Sequence, residues 1–120
     1  YNVKPIEGAR KLLRQIEGVY FDWDLEECNK WNFFPPAHDM GLLAQRVQKI
    51  NPYAVHPAPF DHDPLDKGKS KSGKDYLTVQ YEKMVPMLVQ SSNEHDEIID
   101  QLLERIASLE ATVAKLTEGK

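Results

Sequence analysis

Seven consecutive residues, Gly68-Lys69-Ser70-Lys71-Ser72-Gly73-Lys74, satisfy the spacing of a phosphate-cradling loop up to its lysine. The next residue argues against that chemistry. Asp75 stands where a Ser or Thr hydroxyl would reach the metal, and its carboxylate repels phosphate. No hydrophobic strand leads into the motif, so it reads as a flexible Gly/Ser/Lys loop. Slightly earlier, His56, Asp61, His62 and Asp63 offer the nitrogen and oxygen donors that a divalent metal takes. The prolines among them leave no rigid surround to orient ligands, and neither a metal nor another cofactor is expected. Cys28 is the only cysteine, which excludes an intrachain disulfide, and it reads as a small buried residue. No nucleophile and base can be paired by spacing, so no hydrolytic centre is expected within these residues.

Composition narrows the remaining classes. A net charge of −4 over 120 residues argues against nucleic acid as a partner, because phosphate affinity needs clustered Lys and Arg. No apolar run approaches the ~18 residues of a membrane span, and no leader opens the chain. The expectation is a soluble protein of a reducing compartment, with no membrane partner.

The elements that would position these groups follow from periodicity. Pro5 suits the first turn of a helix whose apolar face is Ala9, Leu12, Leu13 and Ile16, ended by Gly18. Val19 to Trp23 reads as a strand, and 24–36 as a loop whose Trp31, Phe33 and Phe34 cover a core or a subunit contact. Asp39 is placed to cap a second helix bearing Met40, Leu43, Val47 and Ile50, stopped by Asn51-Pro52. Tyr53 to Val55 predicts a short strand, 56–75 an exposed mobile loop, and Tyr76 to Tyr81 an alternating strand.

The last third is different. Ile99, Leu102, Ile106, Leu109, Val113 and Leu116 recur in steps of three and four, a heptad seam with Ile/Val at a and Leu at d. Run backwards, the phase places Val85 and Ser92 at a and Tyr81, Leu88 and His95 at d. The helix is expected to begin around Tyr81 to Lys83, with Pro86 tolerated in its first turn. Ser92 and His95 form a polar stretch of the seam that fixes register at some cost in stability. Met84, Val89, Ile98 and Leu103 flank the seam. Ile/Val at a with Leu at d favours two strands, whereas apolar flanks favour three or packing against a head; the heptads alone leave dimer and trimer open. A rod of ~38 residues, about 57 Å long, would leave ~80 residues for a head, where core burial is marginal and association a natural remedy.

The fold class expected is α+β. A mixed head, 1–80, has short antiparallel strands and two helices, with an insertion at 56–75. A C-terminal helix, 81–120, forms a parallel trimeric coiled coil.

Gly41-Leu42-Leu43-Ala44-Gln45-Arg46-Val47, followed by Tyr53-Ala54-Val55, resembles the C-terminal intramolecular chaperone domain of bacteriophage tail fibres and tail spikes. This is the S74 peptidase, or endosialidase-type, family. Its second motif reads here Val79-Gln80-Tyr81-Glu82-Lys83-Met84-Val85-Pro86-Met87-Leu88. Asn2-Val3-Lys4-Pro5-Ile6 and Gly18-Val19-Tyr20-Phe21-Asp22-Trp23 fit it also, so that Gly41, Ala44, Gln45, Tyr81 and Pro86 are family positions. Arg46 replaces a usual acidic residue, and the loops around Trp31 and Lys69 look like insertions.

The resemblance implies a homotrimer that guides the folding of an upstream fibre or spike and then cuts itself off. The family's cleavage uses a Ser-Asp pair with a Lys a few residues later, ahead of the Asn-Val segment. Those residues would lie upstream of Tyr1, and the chain as given is expected to be proteolytically inert. His38 and Gln45 are the candidate neighbours of the cleavage site. The setting implied is the host cytoplasm during virion assembly, with release from the mature fibre after cleavage. The alternatives are a plain coiled-coil oligomerisation or adaptor module, and the related domain of myelin-regulatory-factor-like transcription factors.

Overall fold

The computed structural model describes residues 1–63 and 66–119. Pro64 and Leu65, inside the expected 56–75 loop, and Lys120, at the expected end of the rod, lie outside the described residues. The chain is α+β, with short antiparallel strands in the head and one long C-terminal helix. Its order is α1 (Ala9–Leu13), β1 (Val19–Asp22), α2 (Leu25–Lys30), β2 (His38–Gly41), α3 (Ala44–Ile50), β3 (Val55–Pro57), β4 (His62–Asp63), β5 (Asp66–Ser70), β6 (Leu77–Val79) and α4 (Val85–Glu118). Among the described residues three two-stranded antiparallel pairs form, β1–β2, β3–β6 and β4–β5.

The first helix starts at Ala9, four residues beyond Pro5, because Gly8 has φ +68° and breaks the run. Glycine brings no capping side chain. Glu94 of α4 does the work instead: its carboxylate accepts from the Arg10 amide at 3.3 and 3.5 Å, fastening α1 to the rod.

Among its described residues the head holds three α-helices, where two were expected. The stretch read as a loop after Asp24 contains α2, capped by Asp24, whose carboxylate accepts from the Glu27 amide at 3.1 Å. Asp39 does not cap the next helix. It sits in β2, paired with Phe21, and its carboxylate accepts from Trp23 Nε1 at 3.2 Å. α3 consequently begins at Ala44 without a side-chain cap. The Tyr53 strand is a 3-10 turn over Pro52–Ala54, and pairing starts at Val55.

The described residues of 56–75 are gathered around one buried carboxylate rather than forming an open loop. Asp61 accepts from Ser70 Oγ at 2.6 Å, Ser72 N at 2.8 Å and Tyr76 N at 3.1 Å. The serines of the would-be phosphate loop are thus turned inward onto an anion of their own chain. Burial alone would raise the Asp61 carboxyl, but the bonds from Ser70, Ser72 and Tyr76 outweigh it and hold the pKa down to about 2.

A small core of Val47, Ala54, Val55, Met84 and Met87, edged by Leu12, Leu13, Ile50, Leu77 and Val79, joins the head to the base of α4. Asn51 reinforces the joint, with Nδ2 donating to the Lys83 carbonyl at 3.1 Å. Among the described residues no helix is long and apolar enough to cross a membrane.

Candidate functional site

α4 bears two stripes one residue apart. Met84 at its N-cap, then Met87, Ser91, Glu94 and Ile98 along it, are buried or half-buried on the head side. Val85, Leu88, Ser92, His95, Ile99, Leu102, Ile106, Leu109, Val113 and Leu116, the expected a and d positions, all face solvent. Its six C-terminal apolar residues are between 49 % and 67 % exposed. A single chain therefore leaves one long apolar ridge uncovered, more than scattered surface leucines account for. Part of the width read in the sequence has a simple cause: Met84 and Ile98 face the head, while Val89 and Leu103 stay exposed beside the ridge.

Tyr81, assigned to d by running the heptad backwards, precedes the helix. It lies in a 3-10 turn over Tyr81–Lys83, and α4 starts at Val85 with Pro86 in its first turn. Tyr81 acts locally, since its hydroxyl accepts from the Leu42 amide at 3.1 Å. A Cβ at Gly41 would collide with that same oxygen. Tyr81 in this pose therefore requires glycine at 41, and its hydrogen bond to Leu42 ties the β2–α3 connection to the foot of the rod. Ala44 opens α3 against the core.

His38 and Gln45 are both exposed and line different grooves, which share Phe21 and Asp39. His38 pairs across the strands with Asp22, Nδ1 to Oδ1 2.5 Å. This is an imidazole oriented by a carboxylate at the rim of a groove of about 460 Å³. Arg46 reaches Glu17 at 3.3 Å, so the departure from the family pattern has its own partner in this chain. Among the described residues, His56, Asp61 and His62 each have other partners. Asp61 is taken up by its donors, while His56 and His62 bond to the Tyr53 and Ala58 carbonyls, each at 3.1 Å.

The two apparent insertions meet. Phe33 stacks on Phe60 at 4.9 Å, Trp23 packs edge-on to Phe33 at 5.3 Å, and Phe60 lies 5.8 Å from Tyr76. Glu27 Oε1 accepts from Trp31 Nε1 (3.3 Å), Lys74 Nζ (3.2 Å) and the Tyr76 hydroxyl (3.3 Å). The Trp31 bond, followed by the Lys74 bond, lowers the Glu27 carboxyl below its usual range, and the same ion pair raises Lys74. The Asp-x-x-Glu spacing from Asp24 to Glu27 was the sequence signal for this helix, hidden among aromatics.

Compared with known proteins, the chain matches no curated protein. Residues 1–56 match the model of a family described as chaperone of endosialidase. That span covers the Asn2-Val3 segment, β1, the Gly41 motif and α3, and ends within β3, ahead of the β4–β5 pair and the rod. Over residues 1–56, then, the chain is similar to the S74 peptidase family of endosialidase chaperones.

Proposed function

We propose that this chain is an intramolecular chaperone that associates through α4 as a parallel homotrimer and so registers an upstream tail fibre or spike for folding. The observation that carries the reading is the exposed ridge from Val85 to Leu116, bare along its whole length while the neighbouring stripe is covered as far as Ile98. Three strands, rather than two, follow from the family resemblance and from Val89 and Leu103 flanking the seam. Intertwined β-fibres fold slowly, because chain entropy is lost before distant contacts compensate it. A helix forms in microseconds. Once three rods zip together, the segments ahead of them are held in register at high effective concentration.

Release follows by cleavage upstream of Tyr1, with the exposed His38–Asp22 pair and Gln45 bordering the site. After release the fibre cannot retrace its path, and its persistence becomes kinetic. The test is coexpression with an attached fibre segment. Leu109→Asp places three carboxylates in one layer of the seam and should abolish assembly of the fibre; normal trimer yield from that variant would refute the rod as organiser.

A further inference from the structure

The cavity between the two insertions, about 170 Å³, is walled by Trp23, Phe60 and Tyr76 and edged by Asp24 and Glu27. Aromatic faces with carboxylates at the mouth are the surroundings that bind an organic cation. One is already there. Lys74 Nζ lies 6.0 Å from the Tyr76 ring centroid and 3.2 Å from Glu27, with its side chain still 61 % exposed. It is delivered by a turn in which Gly73 and Asp75 both have positive φ, +75° and +50°.

We propose that this cage is a binding site for a lysine or arginine side chain presented by another polypeptide segment, and that Lys74 is its built-in competitor. The volume fits one side-chain end and falls below the roughly 300 Å³ at which pockets for larger ligands begin. The group now at its rim is itself a side chain on a loop, the same chemistry that a second segment would offer. An exposed ion pair is weak, so Lys74 can be displaced. The site is complete within one chain and stands apart from self-association through α4.

Both tryptophans of the chain report on it, Trp23 as a wall and Trp31 through Glu27. In the full chain, Lys74→Ala should give saturable fluorescence quenching by an acetylated, amidated Ala-Arg-Ala peptide in the millimolar range. Binding should be about two- to five-fold tighter than in the wild type, the factor that an exposed ion pair is worth. Glu27→Gln in the Lys74→Ala background should abolish saturation. The norleucine analogue of the peptide should fail even on Lys74→Ala, a control that does not depend on the second variant folding. Equal quenching by both peptides, no saturation, or no gain from Lys74→Ala would overturn the proposal. Tetramethylammonium binding as tightly as the peptide would overturn the assignment to a polypeptide side chain.

Discussion

At position 41 a methyl group would meet the Tyr81 hydroxyl, which is held by the Leu42 amide. Gly41→Ala should therefore cost about 1–3 kcal/mol, the usual range for overpacking. In a Tyr81→Phe background the clash is gone and the cost should fall by at least about 1 kcal/mol. Urea denaturation of the four chains of this cycle measures the coupling; strict additivity would contradict the lock. Asp61 makes a second argument at this scale. Its folded pKa of about 2 lies below the ordinary 3.8, so its contribution is complete above 3.8 and disappears as pH falls through about 2. Asp61→Asn should lower stability at neutral pH by about 1–3 kcal/mol, the cost of disturbing bonds to a buried charge. Thermal melts of both proteins across that window should converge at the acid end; a constant gap would mean the carboxylate is not what gathers Ser70, Ser72 and Tyr76.

Among elements, those with a period longer than their exceptions were legible in the chain. β1 and β6 follow from alternation, and the exposed ridge of α4 from its heptads. What escaped was held by contacts distant in sequence. The 56–75 stretch looks unstructured because its order comes from Asp61 gathering Ser70, Ser72 and Tyr76, and no local pattern encodes that. β2 replaced the start of a helix because pairing with β1 outweighs the capping preference of Asp39. The His38–Asp22 pair depends on that register and was invisible for the same reason. The two stripes of α4 make separable predictions. Met87→Asp puts a charge into the head's core and should unfold the head while leaving the rods associated. Leu109→Asp should do the reverse, retaining the melting of the Trp23 and Trp31 surroundings while losing self-association. Fluorescence melts paired with light scattering on both variants distinguish these outcomes, and a shared fate for head and rod would refute two independent stripes.

As a whole, the molecule is a thin body of 78 × 40 × 17 Å, its long dimension set by a helix of 34 residues. A head with so few buried apolar side chains gains little from its own core. A fully buried Leu or Ile contributes about 1.5–3 kcal/mol, so a seam closed by three chains supplies tens of kcal/mol gross, before chain entropy is subtracted. In the proposed trimer this seam stabilises the rods, and their direction decides whether segments placed ahead of Tyr1 start together. Multi-angle light scattering of the full chain at micromolar concentration, with a cysteine placed at Leu116 to report rod direction by disulfide formation, measures both. The account predicts about 41 kDa, three chains of 13.8 kDa, with Leu116→Cys crosslinking readily between copies. A mass of 13.8 kDa, or a stable assembly whose Leu116→Cys residues never meet, would contradict it.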